Sequence, residues 1–216
     1  MGIMVIAIDG PGGSGKSTVA SLLARRLRWR HLDSGAVYRA LTAWAMAMEG
    51  GAFSEPALVS LLQKGHLELL DGGRVTVEGR DLSAAIRTPV VTSEVWRVAD
   101  MAGVRAAVNA YLRRLVSERP AVAEGRDMGR AFPAAVLKVF LDAHPEERAR
   151  RRGDQGTGES PQALAERVER DRRRPVGGLQ AEPDAFHIDC TSIPPEEVVG
   201  LILAEAAKRG VPHGQA

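Results

Sequence analysis

Cysteine is nearly absent from this chain of 216 residues, in which Cys190 is the only one. A single cysteine excludes internal disulfides, iron–sulfur clusters and cysteine-based zinc sites. It is typical of proteins that work in a reducing compartment. The chain is long enough to bury roughly 70% of its unfolded surface, so folding needs no disulfide or metal.

Long hydrophobic runs are missing as well. The apolar run near the N-terminus covers residues 3–8 and ends at Asp9, whereas a membrane-spanning helix needs about 18 or more apolar residues. The run lacks the basic segment that precedes the apolar part of a secretory signal peptide. We therefore expect a cytoplasmic protein with no membrane partner.

Aromatic residues make up only 4% of the chain, and lysine only 4 of its 29 basic residues, which leaves 25 arginines. Arginine binds phosphate and carboxylate groups through two parallel hydrogen bonds. Nine arginines and five acids lie within residues 148–174, with no aromatic side chain among them. Because nucleic-acid bases stack on aromatic side chains, this segment favours a small anionic ligand over nucleic acid. An RNA-binding or regulatory module is the alternative outside enzymes.

The predicted strands and helices alternate, which is typical of α/β proteins. Strands are predicted at 4–9, 29–33, 121–124, 136–141 and 186–189, and helices at 17–27, 35–48, 56–63, 88–101, 104–118 and 195–208. This order predicts a doubly wound, five-stranded parallel sheet. Two β segments around Asp71-Gly72-Gly73 predict a small antiparallel insert at about residues 65–84. Residues 148–175 contain two arginine-rich helical segments around a glycine hinge, which is typical of a mobile lid.

The most specific motif follows the first predicted strand. It is G-x-x-x-x-G-K-[ST], formed here by Gly10, Pro11, Gly12, Gly13, Ser14, Gly15, Lys16 and Ser17, with Thr18 next in the chain. Its glycines let backbone N–H groups converge on phosphate oxygens, and the helix that follows adds partial positive charge. Lys16 is predicted to bridge the β- and γ-phosphates, and the Ser17 hydroxyl to bind Mg²⁺. The motif predicts a nucleoside triphosphate site.

The rest of the chain narrows the class of P-loop protein. The guanine-reading N-K-x-D motif of GTPases is absent, because the only asparagine, Asn109, precedes Ala110. A motor or large ATPase would need further coupling domains. We therefore expect a kinase for a small acceptor, and shikimate, a sugar acid or a nucleotide are the alternatives at this point.

Two further segments suit such a kinase. In residues 32–39 (L-D-S-G-A-V-Y-R), a strand ends and a helix begins, so that Asp33 or Ser34 caps the helix and Arg39 lies one turn further on. Residues 124–129 (E-G-R-D-M-G) lie at the carboxyl end of the third core strand. Ligands of open α/β sheets bind at that edge.

These segments together resemble bacterial cytidylate kinases, the CMP/dCMP kinases within the P-loop nucleoside monophosphate (NMP) kinases. The shared motifs run in order from about Ile6 and are I-D-G-P-G-G-S-G-K-S-T, L-D-S-G-A-V-Y-R, I-R-T, V-R, G-R-D-M-G, and F-L-D with P-E-E-R-A-R-R-R. The resemblance implies an NMP-kinase-like fold and ATP-dependent phosphorylation of CMP and dCMP to their diphosphates, with Mg²⁺. We expect a monomer, since no predicted helix carries a second apolar face.

The resemblance also implies roles for individual residues. Lys16, Asp33 and Arg126 are the expected catalytic residues. The resemblance implies that the acceptor phosphate is held by Arg39 and Arg126, and that the cytosine edge is read by Arg105 and Asp127. It implies that the acceptor site is lined by Asp33 and Ser34, with further acceptor contacts from Arg170 and Arg174. The lid positions that it implies are Arg148, Arg152 and Arg170.

The implied organisation is one kinase unit over residues 1–216. Its core covers 1–34, 102–147 and 184–209, its NMP-binding region covers 35–101, and its lid covers 148–175. The chain departs from the family in R-D-R-R-R-P (170–175), which is shorter and lacks an acidic residue expected at the ribose hydroxyls. It departs again at Trp96, which stands where the family carries a base-contacting hydroxyl.

Overall fold

The computed structural model describes residues 4–48, 53–70, 73–156 and 158–212. The strands are β1 (Val5–Asp9), β2 (Arg30–Asp33), β3 (Leu67–Leu70), β4 (Arg74–Val77), β5 (Arg80–Asp81), β6 (Ala121–Gly125), β7 (Leu137–Asp142) and β8 (Phe186–Asp189). The helices are α1 (Lys16–Leu27), α2 (Ser34–Ala47), α3 (Glu55–Gln63), α4 (Pro89–Ala99), α5 (Ala102–Val116), α6 (Met128–Ala131), α7 (Pro145–Asp154), α8 (Pro161–Arg173) and α9 (Pro195–Lys208), with a 3-10 helix at Ala85–Arg87. None of these described helices is long and apolar enough to cross a bilayer.

The chain divides into two compact units. Unit 1 consists of Met1–His31 and Val116–Ala216, and unit 2 of Leu32–Leu115. The boundary between them falls within β2. We describe each unit by itself.

Unit 1 is built on a five-stranded sheet in the order β2-β6-β1-β7-β8. The central strand, β1, runs parallel to β6 and β7, and β7 runs parallel to β8. Every residue of β1 is buried, which suits its apolar, β-branched sequence because helices cover both faces of such a sheet. Parallel strands end at a common edge, and there Asp9 of β1 is paired with Gly125 of β6.

Helices α1 and α9 pack against each other and share one buried cluster with this sheet. In α1, Val19, Leu23 and Leu27 recur at helical spacing and are buried. They join Val198 and Ile202 of α9 in the cluster. Burying each such side chain contributes about 1.5–3 kcal/mol to the stability of the folded unit. This packing therefore fixes the start of α1 next to the loop that precedes it.

Unit 2 combines helices with a three-stranded antiparallel sheet in the order β3-β4-β5. Its longest pairing joins β3 to β4, with Leu67 opposite Val77 and Leu69 opposite Val75. These four side chains are buried and alternate with polar residues, as in a sheet with one face on a core. Helix α2 packs on both of these strands and on α4.

The structure confirms the predicted α/β class, the five-stranded parallel sheet and the antiparallel insert. The insert also has a third strand, β5, whose residues Arg80 and Asp81 are both exposed. No apolar alternation marks two exposed residues, and the pattern of the sequence therefore did not indicate them. Asp71 and Gly72 of the predicted turn, and Thr157 of the predicted hinge, lie outside the described residues.

Candidate active site

The G-x-x-x-x-G-K-[ST] segment forms a loop between the end of β1 and the start of α1, as its sequence predicts. Gly13 and Gly15 have φ angles of 79° and 86°, in the left-handed region that glycine adopts without steric cost. A Cβ atom on Gly13 would also lie only 2.5 Å from the backbone oxygen of Arg148. The tight path of this phosphate loop therefore depends on glycine.

Two polar side chains of the phosphate loop are held inside it. The Nζ atom of Lys16 donates a hydrogen bond to the Pro11 carbonyl at 3.1 Å, so the ammonium group folds back across the loop. The hydroxyl of Ser14 is buried and has no hydrogen-bond partner among the described residues. Buried polar groups without a partner are uncommon in folded proteins, and an anion with acceptor oxygens would satisfy this one.

Glu124, next to last in β6, connects the phosphate loop to a neighbouring strand. Its Oε2 atom accepts a hydrogen bond of 2.6 Å from the Ser17 hydroxyl, and its Oε1 atom lies 2.9 Å from Nε2 of His31. The carboxylate is almost wholly buried. Ser17 and Glu124 thus place a hydroxyl and a carboxylate together, which are the oxygen donors that Mg²⁺ prefers. Within the described ranges, no three His, Cys, Asp or Glu side chains cluster as a metal site.

Asp9, the last residue of β1, fixes the segment that follows β6. Its two carboxylate oxygens accept hydrogen bonds from the amides of Met128 and Gly129 at 2.7 and 2.8 Å. Burial raises the pKa of Asp9 to about 6, and the two amides oppose that rise. The carboxylate therefore anchors the stretch of chain that carries Arg126 and Asp127.

Arg126 is bound on two sides in unit 1. Its Nε donates to Asp171 of α8 at 2.7 Å, and its Nη1 donates to the Gly10 carbonyl at 3.0 Å. Asp171 also accepts a hydrogen bond from Arg174 at 3.1 Å. Burial tends to raise the pKa of Asp171, but Arg126, Arg174 and Arg167 outweigh it and hold the pKa below its usual value. The Asp171 carboxylate therefore joins two of the predicted acceptor-binding arginines.

The predicted lid arginines have different surroundings. Arg148 is buried, and its Nε donates to the Ala143 carbonyl at 3.0 Å. Arg152 pairs with Glu159 at 3.0 Å. Arg170 is exposed. Burial lowers the pKa of Arg148. The backbone of Arg148 lies against Gly13, so this residue is part of the packing of α7 on the phosphate loop.

A cleft of about 660 Å³ opens beside the phosphate loop in unit 1, within the size range of small-molecule sites. Its walls come from Gly13, Ser14 and Gly15 of the loop, from Thr18 of α1, from α7, and from the segment between β8 and α9. Arg151 of α7 joins these walls, because it donates to Glu147 at 2.8 Å and to the Cys190 carbonyl at 2.6 Å. Hydrogen bonds from Arg150 and Arg151 lower the pKa of Glu147 to about 2.

The remaining predicted residues lie in unit 2. Asp33 caps α2, with Oδ1 accepting from the Ala36 amide at 2.9 Å, and its Oδ2 accepts from Arg39 at 3.0 Å. Ser34 is buried. Arg105 is only 3% exposed, donates to the Ala99 carbonyl at 3.0 Å and lies 5.5 Å from the centre of the Tyr38 ring. A buried guanidinium is costly, and such groups are common at ligand sites.

Comparison with known proteins accounts for this arrangement. The family model for cytidylate kinase matches residues 6–208. The chain belongs to the cytidylate kinase family. The cytidylate kinases of Pseudomonas savastanoi pv. phaseolicola and Azotobacter vinelandii are 43% and 41% identical to it, over 96% and 95% of this chain and 96% of each relative. The crystal structure of TT1252 from Thermus thermophilus is 25% identical, has a TM-score of 0.52, and is matched over 95% of this chain and 98% of its own.

The family assignment confirms the predicted enzyme class, a kinase that transfers a phosphoryl group to CMP. It also decides against the alternatives of another small acceptor or a binding module. The roles of individual residues remain predictions.

Several residues that build this cytidylate kinase site were not assigned a role from the sequence. Asp9 and Glu124 carried a usable signal, because each is a charged residue at the carboxyl end of an apolar strand. Asp171 and Arg167 carried none, since a charged side chain in an arginine-rich helix gives no indication of which face it occupies. Glu159 carried none either, because it lies in the segment between α7 and α8.

Proposed function

We propose that this cytidylate kinase phosphorylates CMP and dCMP to CDP and dCDP, with ATP as the donor and Mg²⁺ as the cofactor. The observation that carries the proposal is the phosphate loop, in which Lys16 folds back over the loop and Ser17 meets Glu124. Residues 10–18 would bind the triphosphate. The adjoining cleft has room for the nucleoside of the donor.

The residues around Ser17 fit a magnesium ion. The Ser17 hydroxyl would bind the ion directly, and Glu124 would orient that hydroxyl through their hydrogen bond of 2.6 Å. An ion held there would offset the negative charge of the phosphates during transfer. His31 holds the other oxygen of Glu124, which keeps the carboxylate in one orientation.

The acceptor needs little chemical activation. Its phosphate oxygen is already anionic, so it can attack the γ-phosphorus in line without a strong general base. The chain's own part is to position the two phosphates and to offset their repulsion. We assign this work to Lys16 and Arg126, with Arg39 as a contact of the acceptor phosphate and residues 148–175 as the lid that excludes water.

Arg105 is our candidate for reading the base. Cytosine presents an amino donor, a ring acceptor and a carbonyl, and a guanidinium held as rigidly as Arg105 matches its acceptors. Uracil reverses two of these polarities and would leave buried groups unpaired, at a cost of about 1–3 kcal/mol each. The resemblance assigns Asp127, which is buried, to the donor of cytosine.

The direct test is an assay of ADP release with ATP and Mg²⁺ against CMP, dCMP, UMP, AMP, GMP, TMP and shikimate. We expect turnover on CMP and dCMP at least about tenfold above UMP, since one lost buried pair accounts for that factor. Equal turnover on UMP and CMP would contradict the role of Arg105. The ratio of CMP to dCMP would report on the shortened segment 170–175.

We also propose that the protein acts as a monomer in the cytoplasm. The single cysteine supports a reducing compartment. Sedimentation at enzyme concentrations used in the assay would measure the oligomeric state, and a dimer would contradict this part of the proposal.

A further inference from the structure

Arg167 of α8 lies directly against the phosphate loop, although no motif singled it out. A Cβ atom on Gly12 would lie only 2.7 Å from Nη2 of Arg167 and 2.9 Å from Leu164, one turn earlier on α8. The guanidinium therefore rests on the backbone of the loop. Only 19% of the Arg167 side chain is exposed, which is unusual for a charged group unless it has a partner.

Arg167 forms an ion pair with Glu159. The Nε atom lies 3.0 Å from Oε1, and Nη2 donates to Oε2 at 3.0 Å. Glu159 is shared, because Arg152 binds the same Oε2 atom at 3.0 Å. One carboxylate thus serves two guanidinium groups, and Nε of Arg167 has no partner with hydrogen-bond geometry among the described residues.

Two cations and two anions act on Arg167. Arg126 and Arg152 repel it, while Glu159 and Asp171 attract it, so the cluster of three arginines and two carboxylates carries excess positive charge. Burial and the two arginines lower the pKa of Arg167 to about 10, which leaves it charged at neutral pH. Excess positive charge that is buried beside a loop of this kind is stabilised by an anion.

We propose that Arg167 contacts the terminal phosphate of the donor nucleotide at the phosphate loop, and that Glu159 holds the guanidinium in place from its other side. This rests on the proposed function, because it requires a triphosphate on residues 10–18. An arginine fork has two edges that can each bind an oxyanion, and Glu159 lies along the edge formed by Nε and Nη2, where it accepts a hydrogen bond from Nη2. Two of the predicted lid arginines differ from Arg167 in this respect. Arg170 is exposed, and Arg148 approaches Gly13 with its backbone.

The competing explanation is purely structural. Glu159 connects Arg152 of α7 to Arg167 of α8, and this bridge could serve only to hold two helices together. A tether acts on any bound nucleotide alike. A contact with the terminal phosphate acts on triphosphates and not on diphosphates.

The experiment measures binding to the full chain, by calorimetry with Mg²⁺, of ADP and of an ATP analogue with a non-hydrolysable imido bridge. Arg167→Gln is expected to weaken binding of the analogue by about tenfold or more, because a charge-assisted contact is lost, and to change ADP binding less than threefold. Glu159→Gln retains Arg167 but removes the charge that holds it, so it is expected to weaken binding of the analogue less than Arg167→Gln does and to change ADP binding less than threefold. The matched control is Arg173→Gln, on the same helix, whose side chain is 80% exposed and pairs locally with Glu169.

Equal losses for both nucleotides in Arg167→Gln, or no loss, would overturn the inference in favour of a tether or of no role. Arg167→Lys guards against misfolding, because it keeps the charge and removes the fork; we expect an intermediate loss that is again confined to the analogue. Failure of the proposed function would look different, since the wild-type protein would then phosphorylate no nucleotide acceptor. Failure of this inference alone leaves wild-type turnover intact and the preference for the analogue unchanged in Arg167→Gln.

Discussion

The phosphate loop and helix α8 represent two ways of building a phosphate site within unit 1. The loop takes its shape from backbone conformation at Gly13 and Gly15, and its Lys16 bonds to Pro11 only five residues away. Helix α8 works through side chains whose partners are distant in sequence, as in the pair of Asp171 with Arg126, 45 residues apart. Because the loop depends on local geometry, it can be recognised in the sequence as a motif. The inward face of α8 is defined only by the packing of the folded unit.

The two faces of α8 extend this comparison. On the outer face, Arg173 pairs with Glu169 one turn away, and both are well exposed. On the inner face, Asp171 is 8% exposed and holds Arg126 and Arg174. The residue types are the same, but exposed pairs contribute about 0–1 kcal/mol, whereas breaking a buried pair leaves an uncompensated charge and costs several times more.

The largest effect is expected within the loop itself. Lys16→Ala removes the one side-chain cation that the loop folds onto its own backbone, and we expect kcat with CMP to fall at least about 100-fold, as when a preorganised group at a transition state is lost. Steady-state kinetics of ADP release would measure it. Retention of more than about a tenth of wild-type kcat would show that Lys16 does not have this role.

The sequence predicted those parts of the molecule that depend on near neighbours. The strands, the order of elements and the phosphate loop follow from apolar periodicity and glycine spacing. The position of β5 did not, because Arg80 and Asp81 have no apolar pattern. Nor did the network around Asp171 and Glu159, because an arginine-rich helix has many possible pairings and packing of unit 1 selects among them.

The dependence of stability on pH tests the surroundings of Asp9 at the carboxyl end of β1. Burial raises the pKa of Asp9 to about 6 from 3.8, so the folded state binds more protons than the unfolded state between these values. The contribution of Asp9 to stability is therefore complete below about pH 4 and is lost as pH rises through about 6, with a total of about 3 kcal/mol. Urea unfolding from pH 4 to 7 should show this fall in wild type relative to Asp9→Asn.

The variant Asp189→Asn tests a pH dependence of stability with the opposite sign. The Thr191 hydroxyl and amide lower the pKa of Asp189, which is exposed on β8. Its contribution is present above the pKa of the unfolded chain and is lost as pH falls below about 4, so the difference between wild type and Asp189→Asn should increase with pH up to about 5 and stay level above it. A flat difference for Asp9→Asn over the whole range would mean that the pKa of Asp9 is not raised in the folded protein, which would contradict the effect of burial.

The smallest effect separates the two faces of α8. Asp171→Asn keeps the shape of the side chain but removes the charge that pairs with Arg126 and Arg174, so both guanidinium groups lose an ionic partner, while Arg126 keeps its hydrogen bond to the Gly10 carbonyl. We expect kcat/KM for CMP to fall about tenfold, mostly through KM for CMP, which corresponds to about 1.4 kcal/mol. Glu169→Gln breaks the exposed pair on the same helix and should change kcat/KM less than twofold. Equal effects of the two substitutions would mean that α8 acts as a uniformly charged surface, whereas the expected contrast would support the prediction that its inward carboxylate positions Arg126 and Arg174 for the acceptor.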